Sequence, residues 1–151
     1  MLQKLAPNPG RYPLLPDLTP QQDVAILCRA LHREGYDEHI NGHITLAQDD
    51  GSFLVNPWEL AWDELTADDI IRVDGKGAII EGDWNVTPAI GLHLEVHKRR
   101  HDLKVVLHNH TKWGLVWSAS GRVPPIYDQT SGQVEGAPVF YDEYAGTVDG
   151  E

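Results

Sequence analysis

The chain has 151 residues, a net charge of −11 with histidines neutral, and 41% hydrophobic residues. That length and apolar content suit one domain with a packed core and exclude general disorder. The acidic balance argues against a nucleic-acid backbone or an anionic membrane surface as the main partner. A small anionic substrate stays open, because local cations or a metal can reverse the field inside one pocket.

Residues 1–18 hold four of the ten prolines and read as an extended arm. No apolar run reaches the roughly 18 residues of a membrane span, and the N-terminus lacks a signal-peptide core, so the cytoplasm is the expected compartment. The segment 19-TPQQ-22 predicts a helix start, with Thr19 as cap, Pro20 in the first turn and Gln22 closing a capping box. Val24, Leu27, Cys28 and Leu31 recur at helical spacing, so the single cysteine reads as core, and Gly35 can end the helix. A polar loop at 37-DEHINGH-43 runs into a strand ending at Ala47, and 49-DDGS-52 marks a hairpin before 53-FLVNP-57. Thr66 with Asp69 predicts a short helix start. The run 70-IIRVDGKGAIIEG-82 reads as strand, turn, strand. A second helix is expected from Thr87-Pro88 to about Arg100, then a strand over 104-KVVLHNH-110. Thr111 can cap a third helix carrying Trp113 and Trp117 one turn apart. Residues 134–146 read as strand and loop. Helices and hairpins interleave, giving a mixed α/β domain over 19–151.

The histidines carry the chemistry. On a strand, alternate side chains share a face, so His108 and His110 would lie together with Cα atoms about 6.5–7 Å apart. Two imidazoles so placed can lean onto one cation, and imidazole suits zinc, iron, manganese or cobalt. The plain alternative is a pair of polar residues leaving a sheet. Catalytic zinc also wants a third protein ligand. His93, His97 and His101 form a stripe at four-residue spacing, but HLEVH lacks the HExxH arrangement. The stripe therefore reads as a helix–sheet or subunit contact.

Several segments together resemble the N-terminal part of the class II aldolase/adducin family. They are 38-EHINGHITL-46, 53-FLVNPWELAWDELTADDIIRVD-74, 77-GAIIEG-82, the His93–His97 helix and 104-KVVLHNHTKWG-114. The resemblance implies a three-layer α/β/α domain around a mixed, mostly antiparallel sheet. It also implies a homo-oligomer, tetrameric in many members, with sites between subunits. It makes His108 and His110 metal ligands, with zinc the first expectation and manganese, iron or cobalt the alternatives. The family's third histidine comes from a later motif, and nothing after His110 is a histidine. The expectation is therefore a domain truncated at its C-terminus.

Two departures point away from sugar-phosphate aldolases. Counting back from His108 places Ala89 where those enzymes carry an acid/base glutamate. Thr87-Pro88 stands where they carry phosphate-holding serines. EHINGHITL with an apolar residue in place of the glutamate instead resembles a branch that includes decarboxylases of hydroxylated aromatic or pyridine carboxylates. In that branch the Glu38–His43 loop faces the metal. Glu38 and His43 are then the catalytic candidates, and Asn41 and Gly42 the substrate-binding ones. The expected activity is a metal-dependent lyase breaking a C–C bond of a small hydroxy- or oxo-carboxylate or a hydroxylated aromatic carboxylate. The alternatives are a non-catalytic adducin-like module and a non-haem iron oxygenase.

Overall fold

A computed structural model describes residues 17–36 and 39–133. The expected arm over 1–18 and the expected strand and loop over 134–146 fall almost wholly outside these residues, as does Glu38. Asp17 and Leu18 are described and belong to no helix or strand.

Helix α1 spans Pro20–Arg33, and its start follows from the sequence. The Thr19 hydroxyl accepts from the Gln22 amide, while Gln22 returns a hydrogen bond to the Thr19 amide. Gly35, at φ +74°, supplies the left-handed turn that ends it. Strands β1 (His43–Ala47), β2 (Phe53–Val55), β3 (Ile71–Val73) and β4 (Ile79–Glu81) form two successive hairpins. Helix α2 (Ile90–Arg99), strand β5 (Val105–His108) and helix α3 (Lys112–Ala119) follow. The sheet order is β4-β3-β2-β1-β5, and all four pairings among the described residues are antiparallel.

Alternation along the strands divides the core between two faces. Ile44 and Leu54 face α1 and pack with Val24, Ala25, Cys28 and Trp62. Burial in this apolar layer pushes the Cys28 thiol up to about 12, so it behaves as a small hydrophobe. Val55, Ile71 and Val73 face the other way, under Phe53, Trp84 and Ile90. Helices on both faces make the α/β/α layering expected from the sequence.

The short helix start expected at Thr66 is a 3-10 helix, Ala67–Asp69, with the Asp69 carboxylate accepting from the Thr66 amide and hydroxyl. Two other local expectations change. Helix α2 starts at Ile90, not Thr87. The Thr87 hydroxyl accepts from the Ala89 amide only two residues on, and Ile90 donates to the Thr87 carbonyl, so a turn precedes the helix. Strand β5 stops at His108, because His108 pairs with His43, the first residue of β1, and no partner lies beyond.

Candidate metal centre and the polar layer beneath it

The register between β1 and β5 assembles the site. His43 lies directly across from His108, and Thr45 across from Val106. Cross-strand partners share a face, so all four point toward α2. His43 therefore belongs to a strand rather than to the loop where the polar run INGH had suggested it. Its ring stacks on that of His108, with centroids 4.6 Å apart and planes 11° from parallel. His110 leaves the strand, yet its ring meets His108 edge-on, and their Nε2 atoms are 2.9 Å apart.

That spacing tests whether the pair fits a metal. Zinc–imidazole bonds run about 2.0–2.1 Å, so two nitrogens on a tetrahedral zinc sit about 3.3–3.4 Å apart and two at the right angle of an octahedral cation about 2.9 Å. The rings need part by only a few tenths of an ångström for the first. Burial, then the neighbouring His110, depresses the His108 pKa, which favours the neutral form a metal requires. The donor set therefore fits a divalent cation through two ligands. Among the described residues no group of three or more His, Cys, Asp or Glu side chains is arranged to hold one.

Beneath this pair lies a buried polar layer. His93 and His97, one turn apart on α2, are 0% and 5% exposed, and both face Thr45. The Thr45 hydroxyl is 2.9 Å from His93 Nδ1 and 2.8 Å from His97 Nε2. His93 Nε2 lies 2.7 Å from His43 Nδ1. Burial, reinforced by the charges that surrounding histidines would carry, lowers His43 to about 3 and His93 to about 4, so both are neutral at physiological pH. Burial also lowers His97. Its Nδ1 is buried without a hydrogen bond of ordinary geometry, although the Leu103 backbone is near enough to favour the protonated ring. The expected helix–sheet contact of the stripe thus holds for His93 and His97. His101 lies past the end of α2 and is exposed.

The 41–43 turn has its own support. Asn41 is exposed, whereas Gly42 is buried. A Cβ at Gly42 would collide with the Trp62 indole. The Gly42 carbonyl accepts from Trp62 Nε1 at 3.0 Å and from Asn56 Nδ2 at 3.1 Å. Asn56 Oδ1 accepts from the Ile44 amide at 2.7 Å, so one buried side chain clasps both sides of His43. Sequence reasoning missed Thr45 and Asn56. Both sit inside strand-like runs, and their partners are distant in the chain. The structure gives Gly42 a packing role. Ala89 stands one turn before His93 with no carboxylate, the Thr87 hydroxyl is engaged by Ala89, and Pro88 is exposed.

Comparison with known proteins places this geometry. Residues 22–150 match the class II aldolase and adducin N-terminal domain. A decarboxylase, NovR, of Streptomyces niveus is 34% identical over 82% of this chain and 48% of its own length. A 4-hydroxy-3-prenylphenylpyruvate oxygenase/4-hydroxy-3-prenylbenzoate synthase of Streptomyces roseochromogenus subsp. oscitans is 33% identical over 82% of this chain and 47% of its own. Among solved structures, an L-fuculose 1-phosphate aldolase from Glaciozyma antarctica PI12 superposes with a TM-score of 0.69 at 28% identity. That match covers 74% of this chain and 47% of the aldolase. The chain thus spans about half the length of the curated relatives it matches. With helices on both faces of an antiparallel sheet and a family match over nearly all of its length, the chain belongs to the class II aldolase and adducin N-terminal domain family.

Proposed function

We propose that the chain supplies part of the centre of a metal-dependent lyase. Its substrate would be a small hydroxy- or oxo-carboxylate or a hydroxylated aromatic carboxylate. The observation that carries this reading is the pair of imidazoles on His108 and His110 with Nε2 atoms 2.9 Å apart. His108 and His110 would hold the cation, with zinc as first choice and manganese, iron or cobalt as alternatives. A bound divalent cation supplies a Lewis acid for the electron pair left when a C–C bond breaks.

The chain's own residues then divide the remaining work. His43, stacked on His108, offers its Nε2 to a substrate oxygen as a hydrogen-bonding group. With a pKa near 3 in this setting it is a weak base, so the acid that protonates the product carbon falls to Glu38. Exposed Asn41 can meet a substrate polar group. Apolar side chains at Trp113, Val116 and Ile126 are uncovered close after the histidine pair, and they fit the surface of a neighbouring subunit in a homo-oligomer, a tetramer by family. No described helix is long and apolar enough to cross a membrane. The cytoplasm is the compartment we propose.

Metal analysis of the purified protein, followed by carbon dioxide release from a panel of hydroxylated aromatic and oxo-carboxylates, tests the reading. Metal-dependent release on at least one substrate is expected. No bound metal and no turnover across the panel would favour the non-catalytic module. The relative named as an oxygenase keeps an iron alternative in view. Running the same panel without oxygen separates the two, since a lyase needs none.

Sugar phosphates should fail as substrates. The start of α2 offers no carboxylate at Ala89, no hydroxyl at Pro88 and an engaged hydroxyl at Thr87. Ketose 1-phosphates should be cleaved no faster than in a metal-only control, as read by aldehyde release. Cleavage at an enzymatic rate would show that another residue supplies the acid.

A further inference from the structure

The buried layer contains more order than substrate binding alone requires. Three contacts run in series from His97 Nε2 to the Thr45 hydroxyl, from that hydroxyl to His93 Nδ1, and from His93 Nε2 to His43 Nδ1, at 2.8, 2.9 and 2.7 Å. A hydroxyl has one proton, and a neutral imidazole has one N–H and one bare nitrogen. Thr45, set between two ring nitrogens, must therefore donate to one and accept from the other. His93 is neutral, so its second nitrogen takes the opposite state to its first. Only one proton can then lie between His93 and His43.

The whole series has two self-consistent arrangements. In one, protons point from His97 toward His43: His97 Nδ1 is bare and His43 Nε2 carries hydrogen. In the other every proton is reversed: His97 Nδ1 carries hydrogen and His43 Nε2 is bare. Any mixture puts two lone pairs or two N–H groups face to face. Thr45 and His93 are fully buried, so no water can repair such a mismatch.

We propose that Thr45 is a positioning residue whose single hydroxyl proton, acting through His93, transmits to His43 the one tautomer that the surroundings of His97 select. The Nε2 of His43 is then always opposite in protonation to the Nδ1 of His97. The functional meaning rests on the reading that His43 meets substrate beside the histidine pair. A ring free to exchange tautomers would present a donor part of the time and an acceptor the rest. A locked ring presents one, and so discriminates between a substrate oxygen that accepts and one that donates.

The test is long-range proton–nitrogen correlation spectroscopy of the histidine rings in the metal-free full chain at neutral pH. Ring nitrogens with and without a proton resonate far apart, and a tautomer mixture gives averaged positions. In the wild type, His43 and His97 should each show one tautomer, with His43 Nε2 and His97 Nδ1 in opposite states. Thr45→Val, close to isosteric, should move His43 to averaged positions, and Thr45→Ser should restore them. If Thr45→Val does not fold by circular dichroism, His97→Phe decides. It keeps the hydroxyl but frees it to donate or accept, so His43 should again average, although it does not touch residue 97.

Averaged His43 nitrogens in the wild type would overturn the proposal. So would matching states at the two ends, or His43 positions unchanged in both Thr45→Val and His97→Phe. Metal titration of the same wild-type sample reads the other claim. Absent metal binding with the lock intact would remove the lyase reading and leave the role of Thr45 standing.

Discussion

The His108→Ala/His110→Ala double variant should fold and lose stoichiometric divalent metal. Removing a group that merely orients a metal ligand typically costs 10–100-fold in affinity, so deleting two direct ligands should cost more than about 100-fold. The fold should tolerate the change. Both rings are only partly buried, His108 is the last residue of β5 and His110 lies beyond it, and neither belongs to the two apolar clusters. Removing His108 does take away the ring stacked on His43, but His43 keeps its hydrogen bond to His93. Elemental analysis and calorimetric titration with zinc, manganese, iron and cobalt measure the outcome, with circular dichroism as the control for folding. Retained stoichiometric metal in the double variant would place the metal elsewhere and remove the basis for assigning this pair.

Asn56→Ala should be strongly destabilising for a single polar substitution. The Asn56 side chain is 1% exposed and makes three hydrogen bonds, to the Ile44 amide and to the Gly42 and Pro57 carbonyls. A typical buried hydrogen bond contributes about 1 kcal/mol, and an amide stranded without a partner costs more than the bond it lost. The Gly42 carbonyl still has Trp62, so the Ile44 amide bears most of the penalty. The expected loss is about 2–4 kcal/mol, or a melting temperature lower by about 10 °C for a domain of this size. Denaturant unfolding should show a lower midpoint with an unchanged slope. A loss below about 1 kcal/mol would mean that water or a backbone shift satisfies Ile44. The clasp spans His43, so the variant should also loosen the stack on His108.

Much of the fold could be read from short-range signals. The Thr19–Gln22 capping box, the turn at 49–52 and the Thr111 cap each depend on residues within a few positions of one another. The helical stripe at His93 and His97 correctly implied a contact with the sheet. What escaped was everything set by strand register. His43 is a strand residue because β5 reaches back to pair with it, and a polar run such as INGH has no alternation to announce that. His110 lies off the strand because β1 offers no further partner. Thr45 looked like one more β-branched strand residue, and its hydroxyl gained significance only when α2 placed two histidines over it. Asn56 stood unremarked in the run 53-FLVNP-57, yet its amide is the buried tie of the 42–44 segment. Glu38, Asn41, His43 and the histidine pair keep roles inferred from family likeness, and of these the geometry draws together His43, His108 and His110.

The layer between α2 and the sheet has a consequence for how this sequence can change. An aliphatic trio at positions 45, 93 and 97 would fill similar space and need no hydrogen bonds, and replacing a buried polar group together with its partners by apolar ones can be neutral or stabilising. Changing one member alone is different, because loss of Thr45 strands a nitrogen on each histidine, loss of His93 strands the Nδ1 of His43, and loss of His97 leaves Thr45 one partner short. Every single step therefore leads downhill, and the far side is level only once His43, whose Nδ1 bonds His93, changes with them. Thr45, His93 and His97 form one inherited unit under such a barrier. Drift that freely exchanges Leu for Ile in the layer beside α1 should leave these three untouched, or replace them together in a lineage that no longer depends on what His43 presents.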